Sequence, residues 1–419
     1  MNNRMIINGG NPLFGKVRIS GAKNAGLVLM AASILAEGET ILDNLPRIRD
    51  VEVMTQILTE IGVATHWNDD NSLSILVPGG LLSRTTSYEL AKKLRASNLL
   101  MGALLGRQGE AVISLPGGCD IGSRPMDLHL KGVQALGAVT QIEHGYIYAQ
   151  SHKPGGSRVY LDFPSVGATE NIIMMASRTP GLSVIENVAK EPEIVDLANF
   201  LNSMGARIRG AGTDVVKVEG VSQLKPCRYA IIPDRIEAGT YMVAAAISGG
   251  EVKVQNVIPT HLHPVIAKLQ ETGAYVQECD EGILVRAGEA ILPVDIKTLP
   301  YPGFPTDMQS QMMALLCRSQ GSSVIVENVF ENRFQIVDEL KRMGANIKVE
   351  GHTAIVEGQP FLCGARVKAT DLRAGAALVL AALAARGETI IEDAGHIFRG
   401  YENMPQKLAS LGAEVQSQQ

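Results

Sequence analysis

The sequence predicts an α/β protein of two domains, in which a unit of about 70 residues recurs six times, three times in each domain. Two markers carry this reading. Glycines that end small-residue-rich apolar helices, just before a β-branched strand, stand at Gly38, Gly109, Gly181, Gly249, Gly321 and Gly387, 66–72 residues apart. Glycines followed by Ala or Val, ending a second and more charged helix, stand at Gly62, Gly137, Gly205, Gly273, Gly344 and Gly412, 68–75 residues apart. Glycine tolerates the left-handed conformation that closes a helix. Two markers that keep phase over six copies make a chance repeat implausible. A chain of 419 residues has room for two to three domains at ~150 residues each.

Each unit then follows in order. Its first helix, for example AGLVLMAASILAEG, TYMVAAAISGG or AALVLAALAARG, is apolar around nearly its whole circumference, which predicts a helix buried among sheets. A β-branched strand follows, as in ETILDNL or SSVIVENV. The second helices, such as 51–61 and 337–343, carry charge on one side and are expected on the outside. Further strands lie between. The natural boundary falls between units three and four, near residues 222–229.

Composition removes several functional classes. Lys and Arg total 38 against 43 Asp and Glu, a formal charge of −5, so the chain lacks the basic field of a general nucleic-acid binder. At 4% aromatic residues it also lacks a base-stacking platform. Five cysteines, none in a CxxC pair, are too sparse for a disulfide framework and fit a reducing cytoplasm. The start, MNNRMIINGG, has no apolar leader, and the longest apolar stretches, 25–36 and 374–385, fall short of the ~18 residues that span a bilayer. A soluble cytoplasmic protein is expected, with no membrane partner.

The repeat dictates the apolar helices but not the polar residues that precede them: Lys23-Asn24, Arg95, Ser165-Val166-Gly167, Asp234-Arg235, Asp307 and Asp371-Leu372-Arg373. Asp and Ser there are ordinary helix caps. Cations are not, because a helix start carries partial positive charge, so Lys23, Arg95 and Arg373 are unfavourable unless an anion is expected. Arg124, Arg333 and Arg399 fall in loops after strands of different units. Together these residues predict a cleft for phosphates or carboxylates. Cys119 lies in the Gly-rich LPGGCDIGSRP near Arg124, a setting that favours a reactive thiolate, whereas Cys317 in ALLCR reads as a core residue. His261 and His263 in PTHLHP have no adjacent Cys or carboxylate and read as satisfied loop histidines rather than a metal pair. No GxGxxG, GxxxxGK[ST] or GxSxG motif stands where a strand, turn and helix would need it.

Ten segments, taken in order, carry a resemblance over essentially the whole chain: SGAKNA (20–25), LRASNLLMGALL (94–105), LPGGCDIGSRPMDLH (115–129), SVGATENI (165–172), EPEIVD (191–196), PDRIEAGT (233–240), FPTDMQ (304–309), FENRF (330–334), ATDLRA (369–374) and HIFRGYE (396–402). They resemble the UDP-N-acetylglucosamine 1-carboxyvinyltransferase family of enolpyruvyl transferases. The resemblance implies a two-domain inside-out α/β barrel like that of EPSP synthase, with six βαβαββ repeats, three per domain. It implies that the N-terminal strand region, residues 5–19, joins the second domain. The domains are then 20–229, which carries the Cys119 loop, and 1–19 plus 230–419, with the active site in the cleft between them.

The implied reaction moves the enolpyruvyl group of phosphoenolpyruvate to the 3-hydroxyl of UDP-N-acetylglucosamine, through a tetrahedral ketal, with release of phosphate. This is the first committed step of peptidoglycan biosynthesis, and no cofactor or metal is implied. By the same resemblance Cys119 is the general acid and a site of covalent attachment to phosphoenolpyruvate, and Asp307 takes the hydroxyl proton. Lys23, Arg124 and Arg399 clamp phosphoenolpyruvate, supported by Arg333 and Arg373. Asn24, Arg95, Arg124, Pro125, Met126, Asp127, Leu128, Phe163, Pro164, Ser165, Val166, Asp307 and Val329 match positions that hold the sugar nucleotide. The Cys119 loop is implied to close over the substrates. Some family members have Lys where this chain has Phe163, so packing replaces a charge contact to the diphosphate. Retention of Cys119, where relatives have Asp, implies alkylation by the epoxide antibiotic fosfomycin. Two alternatives remain at this point: the sister family that makes enolpyruvylshikimate phosphate, and a catalytically idle regulatory paralogue. Intact Cys119, Asp307, Lys23 and Arg399 speak against the second.

Overall fold

A computed structural model describes residues 3–80, 82–115, 122 and 125–418. The chain forms two compact units. Of the described residues, one gathers 21–80, 82–115 and 125–232, and the other gathers 3–20, 122 and 233–418.

In the first unit the helices Lys23–Ser33, Leu100–Gln108 and Val166–Ala176 form the interior. Residues 25–33 and 168–176 are buried without a break, so these helices have no solvent face. Burying a Leu or Ile side chain contributes about 1.5–3 kcal/mol, and the small residues among them let the helices approach closely. A Cβ at Gly102 would stand 2.2 Å from the Asn171 carbonyl oxygen, so only glycine fits that crossing.

Three sheets cover the three helices. One orders Arg228–Ala230, Gly38–Asp43, Leu73–Val77 and Ala64–Trp67, and another orders Arg158–Tyr160, Leu182–Glu186, Val215–Glu219 and Arg207–Arg209. In both, the first strand is parallel to the second and the others are antiparallel. The third orders Glu110–Ser114, Tyr146–Ser151 and Ala138–Glu143, with Thr85 bridged in parallel to Val112.

The second unit is built alike, around Arg235–Ser248, Gln309–Leu316 and Leu372–Leu383. Every residue of Gln309–Leu316 is buried, as are 236–247 and 373–383. Its sheets run Phe14–Arg18, Glu251–Gln255, Gly282–Arg286, Tyr275–Cys279; then Ile296–Lys297, Ser322–Val326, Thr353–Glu357, Asn346–Glu350; then Arg366–Lys368, Glu388–Glu392, Arg4–Asn8, Glu414–Gln418. Each again begins with one parallel pair and continues antiparallel. The strands alternate: in Leu182–Glu186, Ser183 and Ile185 are buried while their neighbours are exposed or half-buried.

The second helices are one-sided, as their charge pattern predicts. Arg49–Glu60 buries Val51, Val53, Met54, Ile57 and Leu58 and leaves its other side to solvent. All twelve marker glycines have positive φ, but they do two different jobs. Those after the second helices close them in a Schellman motif: Gly62 N donates to Thr59 O, and Val63 N to Leu58 O. The same two bonds recur at Gly205, Gly273, Gly344 and Gly412. Of the glycines after the buried helices, only Gly109 and Gly249 are helix caps. Gly38, Gly181, Gly321 and Gly387 come four or more residues after their helices end, Gly38 as the first residue of its strand and the others just before theirs, so the expectation that they terminate the helices is corrected. No helix among the described residues is long and apolar enough to cross a membrane.

Candidate active site

Lys23 is the first residue of its helix, and the preceding Ala22 supplies no side-chain cap. The entry is held by the backbone instead. Ala22 N donates to Ile232 O at 2.8 Å, and a Cβ at Gly21 would lie 1.6 Å from the Asn44 carbonyl oxygen, so the chain can pass there only as glycine. The Lys23 ammonium is paired with Asp50 at 3.3 Å, in the first turn of the Arg49–Glu60 helix. The side chains are 14% and 3% exposed, which keeps the ammonium fixed yet reachable. Asn24, next to it, is exposed.

Arg95 opens the short 3-10 turn Arg95–Leu99 that leads into Leu100–Gln108. That turn is tied to the neighbouring helices by Asn171, which is fully buried. Its side-chain oxygen accepts from Gly102 N at 2.6 Å, and its amide group donates to Asn98 O and Gly167 O at 3.3 Å and lies 2.9 Å from His129 Nδ1. Burial, followed by the Arg95 charge, pushes the His129 imidazole down to about 4, so it is neutral and Nδ1 can accept. Asp127 and Leu128 begin the Asp127–Ala135 helix beside it, after an exposed Pro125 and a buried Met126. Ser165 caps Val166–Ala176 by accepting from Ala168 N, and Phe163, 48% exposed, precedes it with Pro164. Cys119 and Arg124 lie outside the described residues.

In the second unit the three aspartates that the sequence places alike are separated by their contacts. Asp234 and Asp371 are helix caps, each accepting from two backbone N–H groups. Asp307 is not. It lies in the 3-10 turn Thr306–Met308, where Oδ1 is bound by Arg333 and Oδ2 by Arg373 at 2.8 Å. Both arginines are almost fully buried, whereas the Asp307 side chain is 28% exposed, so a substrate hydroxyl can reach it.

Arg373 is fixed from behind by Tyr401, whose hydroxyl is 3.4 Å away and whose ring it overlies at 5.8 Å. Burial, the largest single influence, works against its charge, but the Asp307 carboxylate together with Tyr401 and Asp234 outweighs it and raises the pKa. The Tyr401 hydroxyl also meets Thr240 Oγ1 at 2.9 Å, and Gln311 Nε2 donates to the Asp307 carbonyl at 2.8 Å. Arg399 ends the 3-10 segment Ala394–Arg399, which packs on the Leu372–Leu383 helix, and is half-buried. Val329 N donates to Glu327 Oε1 at 2.8 Å.

Sequence reasoning passed over Asn171, Tyr401 and Glu327, although each lies in or beside a motif that was singled out. All three are buried polar groups with several partners, a property of the fold rather than of residue type. His261 and His263 fall in and just after the 3-10 turn Pro259–His261, and no group of three or more His, Cys, Asp or Glu among the described residues could hold a metal.

A family model for EPSP synthase (3-phosphoshikimate 1-carboxyvinyltransferase) matches residues 7–408. UDP-N-acetylglucosamine 1-carboxyvinyltransferase 1 of Caldanaerobacter subterraneus subsp. tengcongensis is 55% identical over 415 residues, 99% of each chain. The UDP-N-acetylglucosamine 1-carboxyvinyltransferase of Halothermothrix orenii is 52% identical over 412 residues, 98% of this chain and 99% of its own. The chain belongs to the UDP-N-acetylglucosamine 1-carboxyvinyltransferase family.

Among solved structures, the enolpyruvyl transferase NikO from Streptomyces tendae aligns with a TM-score of 0.88 at 25% identity, covering 99% of both chains. EPSP synthase from Acinetobacter baumannii aligns at 0.77 and 18% identity over 100% of both, a likeness of fold alone. This family member is therefore an enolpyruvyl-transferring enzyme with the α/β fold it shares with EPSP synthase. The contrast between 55% and 18% identity sets aside the sister-family reading.

Proposed function

We infer that this transferase moves the enolpyruvyl group of phosphoenolpyruvate to the 3-hydroxyl of UDP-N-acetylglucosamine and releases phosphate, the first committed step of peptidoglycan biosynthesis. The observation that carries the reading is identity of 51–55% to enzymes of that name over 98–99% of this chain.

In the addition, C3 of phosphoenolpyruvate gains a proton, and the sugar oxygen, losing its own, bonds to C2. In the elimination, C3 gives up a proton and the C2–O bond to phosphate breaks. Asp307 takes the hydroxyl proton: two arginines hold its carboxylate in one plane, and its side chain is 28% exposed. Cys119 is the proton donor to C3. Lys23, Arg124 and Arg399 bind the phosphate and carboxylate and stabilise charge in the intermediate. Arg333 and Arg373 act mainly through Asp307, since both guanidinium groups are engaged there. Asn24, Arg95, 125–128, 163–166 and Val329 hold the sugar nucleotide, with Phe163 packing rather than pairing charge.

The same reading divides the chain into domains 20–229 and 1–19 plus 230–419. It makes six βαβαββ repeats, three per domain, of the six sheets of three or four strands and the six buried helices described above. Lys23 belongs to the first of these domains, and Asp307 and Arg399 to the second. A cytoplasmic location without nucleic-acid or membrane partners goes with this reading, and the formal charge of −5 supports it.

The experiment is mass spectrometry after exposure to fosfomycin together with UDP-N-acetylglucosamine. A single adduct on Cys119, absent from Cys119→Ser, is expected, along with a strongly slowed Cys119→Ser enzyme. An unmodified Cys119 contradicts its role as the reactive thiol.

A further inference from the structure

The last residue of the central strand has the same fate in three sheets. Asp43 pairs with Arg228 on the adjacent parallel strand, Glu186 with Arg158 and Glu392 with Arg366, and these carboxylates are 25–30% exposed. Glu327, just after Ser322–Val326, is 1% exposed and takes a different set of partners. Its Oε1 accepts from Thr298 Oγ1 at 2.9 Å, Val329 N at 2.8 Å and Phe330 N at 3.1 Å, and its Oε2 accepts from Thr306 Oγ1 at 3.0 Å.

These bonds close a ring around the site. Thr306 immediately precedes Asp307, and its carbonyl accepts from Arg333 Nε at 3.3 Å, while Arg333 also binds Asp307. Phe330, bound to the same Glu327 oxygen as Val329, leads three residues on to Arg333. A buried carboxylate spent on four neutral donors is costly unless every donor is kept in place, so the donors and the carboxylate fix one another.

We propose that Glu327 is a positioning residue for the transfer: it locks the Asp307 turn to the 329–333 loop, so that the base and the sugar-nucleotide contact at Val329 are set together. This rests on the reading of Asp307 as the proton acceptor. Glu327 itself touches no substrate.

The test measures phosphate release from phosphoenolpyruvate and UDP-N-acetylglucosamine with the full-length enzyme, and checks folding by melting temperature. Thr306→Val removes one donor and nothing else. It lowers kcat about tenfold and leaves KM for UDP-N-acetylglucosamine within about twofold, because only the base is misplaced. Glu327→Gln also withdraws the anionic acceptor from Val329 and Phe330, so it lowers kcat and raises that KM about tenfold. In an Asp307→Asn background, Thr306→Val adds less than about twofold, whereas a merely structural loss would multiply through. Wild-type kcat in Thr306→Val, beside a slowed Asp307→Asn, overturns the proposal and leaves the role of Asp307 standing. Wild-type kcat in Asp307→Asn overturns that role, and the proposal with it.

Discussion

Asp307 and Arg373 form a buried-to-exposed pair: the guanidinium, 6% exposed, donates to Oδ2 at 2.8 Å, while the carboxylate side chain is 28% exposed. Arg333 mirrors it on Oδ1. A planar fork held by Tyr401 fixes the plane of the carboxylate in a way a flexible ammonium cannot. Arg373→Lys is therefore expected to lower kcat by about ten- to a hundredfold with little change in the melting transition. Steady-state phosphate release alongside calorimetry checks it, and an unchanged kcat would remove Arg373 from the positioning of Asp307.

Lys23 and Asp50 provide the corresponding pair in the other unit. Replacing Asp50 by Asn leaves a largely buried ammonium short of its counter-ion and of the contact that aims it. The variant is expected to raise KM for phosphoenolpyruvate about tenfold while the dissociation constant for UDP-N-acetylglucosamine, read by titration calorimetry, stays put. A rise in both would mean that Asp50 supports the whole unit rather than the lysine.

His129 carries a pH signature. Its pKa falls from 6.5 to about 4 on folding, first through burial and then through Arg95. Above pH 6.5 the imidazole is neutral folded or unfolded and costs nothing. Between 6.5 and 4 the unfolded chain takes up a proton that the folded chain refuses, so stability is lost as pH falls, by about 3 kcal/mol in full. Buried Glu237, pushed up to about 7 chiefly by burial, acts in the opposite sense over part of this range, so the comparison must be between proteins. The stability difference between wild type and His129→Gln, from denaturant melts at several pH values, is expected to shift in favour of the variant as pH drops from 6.5 to 4. A constant difference would contradict the neutral, buried imidazole.

Gly102 tests the helix crossing beneath Arg95. A methyl group there meets the Asn171 carbonyl at 2.2 Å and disturbs the 2.6 Å bond from Gly102 N to the Asn171 side chain. Gly102→Ala is expected to cost about 2 kcal/mol or more in a denaturant melt despite the higher helix propensity of alanine. A stabilised variant would show that the crossing has slack.

The sequence carried the architecture because repetition amplifies weak signals. One Gly-Ala or Gly-Val after a helix says little, but six in phase describe a Schellman closure that recurs in the folded chain. A further marker went unread: Asn44, Asn187 and Asn256 all have positive φ, and each donates from its side chain to the carbonyl of the residue that follows the neighbouring parallel strand. Their sequence signature, DN, EN or QN after a β-branched strand, was present in the segments that defined the repeat.

Site residues were legible by type where a charge stood in an unfavourable place, as with Lys23 and Arg373. Their counter-ions were not, because Asp50 lies 27 residues from Lys23 and Asp307 lies 66 from Arg373. Nor could the sequence tell the cap at Asp371 from the arginine-held carboxylate at Asp307, since both are an aspartate near the start of a buried helix. Partners separated that far in the chain are specified by packing.

The central claim is the identity of the acceptor, and the most direct measurement is phosphate release from phosphoenolpyruvate with each candidate supplied in turn. Release with UDP-N-acetylglucosamine, abolished in Cys119→Ser and Asp307→Asn, is the predicted result. Release only with shikimate 3-phosphate, or with neither acceptor, would contradict it.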